Sequence, residues 1–182
     1  MESGRSLEKT LDKTIVVMAA MGNARKVGEL LSQGARVDSR EKDFTPLLAA
    51  ADMGHTQVCE LLLKNGSDLE ERHPGTQYTA LHYAAGGGHQ SLLQLLISHK
   101  ADVNSRSRLE FTPLHMASQG GHLASVVTLL QAGADPLLPQ VDGALPIHLA
   151  AWKNHSEVVR ILIGQGGCSP NQVRHTTLQP FD

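Results

Sequence analysis

The sequence predicts an all-α solenoid built from short, stacked helix pairs. Three observations carry that expectation. Only 3% of the 182 residues are aromatic, while Ala, Leu and 17 Gly dominate, a composition suited to thin, closely packed helices. Four segments recur in register: Phe44-Thr45-Pro46-Leu47, Tyr78-Thr79-Ala80-Leu81-His82, Phe111-Thr112-Pro113-Leu114-His115 and Ala144-Leu145-Pro146-Ile147-His148. Their second residues stand at 45, 79, 112 and 145, intervals of 34, 33 and 33. About ten residues into each unit comes a second mark, Gly54-His55, Gly88-His89, Gly121-His122 and Asn154-His155, and twelve residues later a stop at Gly66, Lys100, Gly133 and Gly166. A fixed period of this length is the signature of repeats that bury their apolar faces on one another.

Within a unit each element has a local cause. Thr45 is placed to cap a helix, and Pro46 falls in its first turn, where its missing N–H costs nothing. A short Ala-rich helix then reaches Met53, and Gly54 ends it. A second helix is expected from about Thr56 to Lys64, with Val58, Leu61 and Leu62 at helical spacing. Gly66 stops it, and the polar stretch from Ser67 to Gln77 leads to the next unit. Neither helix is long enough to stand alone, so each must pack on its neighbours.

Phe111-Thr112-Pro113-Leu114-His115-Met116-Ala117, followed by Gly120-Gly121-His122 and Gly133-Ala134-Asp135, resembles the ankyrin repeat. The pattern occurs four times, with a degenerate fifth copy from Ile15 through Gly22-Asn23 and Val27, Leu30 and Leu31 to Gly34-Ala35. The resemblance implies an ankyrin-repeat solenoid, each unit a helix–turn–helix with a β-hairpin finger, and a role in protein–protein recognition. The expected layout is a lead-in over 1–12, five repeats over 13–168 (about 13–43, 44–77, 78–110, 111–143 and 144–168), and a C-terminal cap or truncated sixth repeat over 169–182. Ser6 to Leu11 is read as a leading turn. The tail, with Thr176-Thr177-Leu178-Gln179 before Pro180, is read either as a lid over Val158, Ile161 and Leu162 or as a cut sixth unit. The chain departs from the pattern in four places: the first unit has Lys13-Thr14-Ile15-Val16, the second has Leu48 in place of His, the third carries one extra finger residue around Arg72-His73-Pro74-Gly75, and the fifth has Asn154 for Gly.

Charge and cysteine content narrow the function. The net charge of −2, from 16 basic and 18 acidic residues, opposes a dedicated nucleic-acid binder. The longest apolar run, Ile15 to Met21, is far short of a membrane span. Two cysteines make no disulfide framework. An intracellular protein is expected, cytoplasmic or nuclear, acting as a monomer without membrane or nucleic-acid contact.

Ten histidines invite a metal reading. Seven lie on the repeat lattice, His82, His115 and His148 in one ladder and His55, His89, His122 and His155 in the other. Copies one repeat apart are separated by about 10 Å of stacking, whereas zinc ligands must all reach one ion at about 2 Å. They are read instead as imidazoles that hydrogen-bond loop backbones and tie units together. Cys59, four residues from His55, takes the place of Leu93, Val126 and Val159 and is read as a small buried hydrophobe. Cys168, near the end, is read as exposed. Gly86-Gly87-Gly88 follows no strand and precedes no Lys-Ser/Thr pair, so it is no phosphate loop; Gly86 and Gly87 are read as clearing the inner face. No nucleophile elbow is present. The expectation is no catalysis, no metal and no cofactor.

The resemblance implies a concave groove formed by the finger tips and the exposed side of each first helix. It assigns Glu41, Lys42, Phe44, Asp52 and Met53 in the second unit; Thr76, Tyr78, Gly86 and Gly87 in the third; Arg108, Leu109, Phe111, Gln119 and Gly120 in the fourth; and Val141, Asp142, Ala144, Trp152 and Lys153 in the fifth. Phe44, Tyr78 and Phe111 are read either as a row of contacts or as packing between fingers. Trp152 with Lys153 is the preferred contact, because aromatic and basic residues dominate binding hot spots. The expected partner is a protein segment, an extended peptide or helix. Leu96 followed by Asp102-Val103-Asn104 resembles the site that an asparaginyl β-hydroxylase modifies in ankyrin domains; Asn104 is read either as that site or as the family's turn residue.

Overall fold

A computed structural model describes residues 2–169 and 171, with side chains from Thr10 onward. The described residues form ten α-helices in two layers. The inner layer holds α1 (Glu2–Ala20), α3 (Pro46–Asp52), α5 (Ala80–Gly86), α7 (Pro113–Gly120) and α9 (Pro146–Trp152). The outer layer holds α2 (Ala24–Ser32), α4 (Thr56–Lys64), α6 (Gln90–Ser98), α8 (Leu123–Gln131) and α10 (Ser156–Gly164). Each helix touches its partner in the unit and the equivalent helix of the next, so the core is one continuous slab between the layers. Val58, Cys59 and Leu62 of α4, and Leu92, Leu93 and Leu96 of α6, are completely buried there. Each such aliphatic side chain contributes about 1.5–3 kcal/mol, which is what short helices need from their neighbours.

The capping expectation holds at Thr45, whose hydroxyl accepts the Leu48 N–H at 3.3 Å with Pro46 in the first turn. At α7 the cap is reciprocal. The His115 N–H donates to Thr112 Oγ1, and the Thr112 N–H donates to His115 Nδ1 at 3.1 Å. Cys59 is buried as read, and burial pushes its thiol up to about 12.

Three expectations are corrected. No turn interrupts Ser6 to Leu11, because α1 is continuous from Glu2 to Ala20. Leu7, Glu8, Lys9 and Leu11 are all good helix formers, and Leu11 and Met18 pack on the core. The fingers are not regular hairpin strands. Among the described residues the one isolated bridge joins Glu41 and Phe44. Each finger closes through a single pair of backbone hydrogen bonds or fewer, such as His73 N–H to Tyr78 O, Ser107 N–H to Phe111 O and Gln140 N–H to Ala144 O, all at 2.9 Å. The fingers are too short for a ladder. The extra residue in the finger of the third unit is absorbed by His73, whose Nδ1 accepts the Gly75 and Thr76 N–H groups.

The third correction concerns Cys168, which is only 2% exposed. It stands one residue past the lattice position of Ala35, Ala101 and Ala134 but takes their buried role, and its N–H donates to Leu162 O at 3.1 Å. The stretch from Gly166 to Ser169 thus begins like the earlier inter-unit turns, with one residue more. The proposed lid or sixth unit beyond it, including Thr176 to Pro180, lies outside the described residues.

Candidate functional site

Two histidine ladders tie each unit to its neighbours. One reaches forward. His82 Nε2 meets Phe111 O at 2.9 Å and His115 Nε2 meets Ala144 O at 3.2 Å, each carbonyl belonging to the next unit. Because Nδ1 of each ring accepts a threonine N–H, Nε2 carries the proton and donates. Burial holds both imidazoles down to about 4, so they are neutral linkers. The other ladder reaches back. His55, His89, His122 and His155 place Nε2 2.8–3.2 Å from the carbonyls of Ala20, Asp52, Gly86 and Gln119. Those carbonyls lie at or near the C-terminal ends of the inner helices, along one edge of the stack.

That edge runs, unit by unit, through Ala20-Met21, Asp52-Met53, Gly86-Gly87, Gln119-Gly120 and Trp152-Lys153. Met21, Met53 and Trp152 are exposed, with Trp152 the most open large hydrophobic among the described residues at 77%. Lys153 Nζ stands 5.2 Å from the Trp152 ring centroid, an exposed cation–π contact. Between these ends the edge dips. An open cavity of about 360 Å³ is lined by Asp52, Tyr83, Gly86, Gly87, Met116, Gln119 and Gly120. Gly86 lies under Met116, whose Cε would be 3.0 Å from any added Cβ, while Gly87 and Gly120 lie under the rings of His89 and His122. The glycines therefore clear the inner face as read, and they also make room for these rings.

The finger side of the groove is joined across units. The Arg108 N–H donates to Thr76 O at 2.9 Å, and its guanidinium donates to Pro74 O. The Val141 N–H donates to Leu109 O at 3.3 Å. Leu109 and Val141 point their exposed side chains outward from these tips. In the first finger Glu41 lies 3.8 Å from Lys13, and Lys42 and Asp43 adopt left-handed backbone with both side chains exposed.

The aromatic row has a different environment from Trp152. Phe44 meets the His73 ring edge-on at 4.9 Å and the Tyr83 ring at 5.8 Å. Tyr78 stacks on His82 at 5.3 Å, and Phe111 leans on His115 at 5.7 Å. All three are half-buried packing between fingers and helices, and what they offer a ligand is an edge. Tyr83 and Met116 line the dip and were not singled out in the sequence; the signal for both was their place one residue past the ladder histidine, which puts them on the inner face.

Asn104 sits in an inter-unit clamp. Its Oδ1 accepts the Asp135 N–H at 2.8 Å, and its Nδ2 donates to Gly133 O at 3.3 Å. One unit earlier Glu70 does the first job, accepting the Asp102 N–H at 2.9 Å.

A profile of the family described as Ankyrin repeats matches residues 3–73, 70–140 and 112–174. The chain belongs to the ankyrin-repeat family. Among curated proteins, human Ankyrin repeat and SOCS box protein 6 is 34% identical over 103 residues, covering 56% of this chain and 24% of that protein. The mouse protein of the same name is 37% identical over 82 residues, 44% of this chain and 20% of its own length. Ankyrin repeat and KH domain-containing protein mask of Drosophila melanogaster is 33% identical over 104 residues, 56% of this chain and 3% of that protein. The match thus spans a quarter or less of these relatives. Ankyrin repeats are protein–protein interaction modules, generally without catalysis, and the stack described above is such a module. Among the described residues no helix is long and apolar enough to cross a membrane.

Proposed function

We propose that this ankyrin stack is a non-catalytic adaptor that takes a segment of a partner protein into its concave groove, acting as a monomer in the cytoplasm or nucleus. The observation that supports this most is Trp152. It is the single tryptophan of the chain, it is 77% exposed on the groove edge, and packing gives it no occupation. Exposed aromatic side chains of that size are costly to leave in water and are the residues that anchor interfaces. Met53, Leu109, Gln119 and Lys153 complete the contact face on the groove edge and finger tips, with Phe44, Tyr78 and Phe111 presenting ring edges between them. Glu41, Lys42, Asp52 and Arg108 supply mixed charge, which tunes specificity and encounter rate more than affinity. The relatives favour one further reading. Their names pair ankyrin repeats with a SOCS box or a KH domain, which supports reading the groove as the regulatory ankyrin part of a larger signalling protein; an inhibitory subunit that masks a transcription factor or kinase is the other alternative.

The test is a capture experiment from lysate, read by mass spectrometry, with wild type beside Met53→Ser/Trp152→Ala/Lys153→Ala. All three sites are exposed, so circular dichroism should be unchanged. Partners held by wild type and lost by the folded variant support the groove. A variant that keeps every partner overturns it and moves the site to the outer helices.

A further inference from the structure

We infer that the dip in the groove receives an arginine side chain of the partner segment, with Asp52 as its counter-charge. This rests on the groove reading of the preceding section and gives that groove a chemistry. Three features of the cavity agree on a cation. Asp52 is the only formally charged side chain that lines it, and among the described residues no Lys or Arg pairs with its exposed carboxylate. The cavity also lies where three inner helices end: Asp52 closes α3, Gly86 closes α5 and Gly120 closes α7. Helix C-termini carry partial negative charge and favour cations. The Tyr83 ring and the Met116 thioether then give apolar walls, and the glycines add no side chain of their own to the lining.

These walls choose among cations. A guanidinium is planar, weakly hydrated, stacks on aromatic faces and pairs with a carboxylate through two parallel N–H groups; an ammonium does none of these as well. A stem of three methylenes lies against Met116 and Tyr83 while its head meets Asp52. The Asp52 carbonyl already accepts His89, which holds the end of α3 in place.

The experiment uses the full chain, labelled with nitrogen-15, titrated with N-acetyl-arginine methylamide, its lysine counterpart and the citrulline counterpart, which keeps arginine's shape without its charge. The backbone N–H signals of Gly86, Gly87 and Gly120 report on the dip directly. The expected result is saturable shifts at these three signals with the arginine amide in the millimolar range, at least tenfold weaker binding of citrulline, weaker binding of lysine, and loss of the arginine effect in Asp52→Asn. Equal shifts with citrulline, or shifts that survive Asp52→Asn, overturn the inference, as does the absence of saturable shifts with arginine. A peptide library displayed on phage and selected against the full chain separates the two readings. Selected peptides that need Trp152 but carry no arginine and ignore Asp52→Asn leave the groove standing and sink the arginine. Peptides that ignore Trp152, Met53 and Asp52 alike sink both.

Discussion

The ring of His122 lies against Gly88 of the unit before it, so close that a Cβ on Gly88 would stand 2.5 Å from Nδ1. The same pairing repeats as His55 on Gly22, His89 on Gly54 and His155 on Gly121. Each of these glycines also has a left-handed backbone, with φ between 67° and 74°. Two independent requirements therefore meet at one residue, a conformation and a vacancy. Asn154 holds the fifth position of this series with φ 61° and an exposed side chain. It satisfies the conformation without having to supply the vacancy.

Gly88→Ala should consequently cost more than Asn154→Ala. Left-handed backbone alone costs a non-glycine residue about 1–2 kcal/mol, and Asn tolerates it better than Ala does, so Asn154→Ala should lose about 1 kcal/mol. Gly88→Ala adds the displacement of His122 from Gly86 O and should lose roughly 2–3 kcal/mol, within the range for a strained site. Urea midpoints of the two variants decide this. Equal losses would show that the ring moves aside freely.

Acid should weaken the stack through His82 and His115. Both are held down to about 4 by burial, against an ordinary value of 6.5. Between those values the unfolded chain takes up protons that the folded chain refuses, so stability falls as pH drops from 6.5 toward 4 and levels off below. Each histidine accounts for at most about 3 kcal/mol across that window. Urea titrations at pH 7.5, 6 and 5 should show the slope, and His82→Gln/His115→Gln should flatten it. A variant with the wild-type slope would place the effect in the carboxylates instead.

Asn104→Ala should destabilise by about 1–2 kcal/mol, since it removes a clamp and leaves the Gly133 carbonyl and Asp135 N–H without their partner. Asn104→Asp should keep the acceptor half, as Glu70 does one unit earlier, and lose less. If both variants match wild type in urea midpoint, the clamp carries no weight.

Neither cysteine should react with Ellman's reagent in the folded protein. Cys59 is fully buried with its thiol pushed up to about 12, and burial also raises Cys168. Two thiols should appear on adding denaturant. Fast labelling of one thiol without denaturant would mean that the turn after Gly167 opens readily.

Trp152 offers a built-in probe of the groove. In the free protein its emission should be red-shifted and quenched by iodide. A ligand seated in the groove should shift it to the blue and protect it, while a ligand on the outer helices should leave it unchanged.

Most of the helical lattice was legible because each repeat states it again. Thr45-Pro46, Gly54-His55 and Gly66 mark one start, one turn and one stop, and α4 runs from Thr56 to Lys64 as the spacing implied. The histidines were legible as a class from their period alone, since a ladder cannot converge on an ion. What escaped was whatever lacks a repeat partner. Nothing in Ser6 to Leu11 has a counterpart elsewhere, so the extension of α1 did not show. Cys168 looked terminal because it stands one residue past the register of the alanines whose buried role it takes. Tyr83 and Met116 fell outside the site because they are unlike their lattice neighbours, and a dip is made by such departures from the pattern.

Leu48 and Val16 stand where later units have His82 and His115. The first two junctions therefore have the backward histidine only, and the last two have both. A stack of this kind melts as a row of coupled segments, parting where coupling is least. The third to fifth units should outlast the first two, and the boundary between those blocks falls after the second. Asp52 stands on one side of that boundary, Tyr83 and Met116 on the other. A ligand held by all three would act as a splint, joining the block that loosens first to the block that holds.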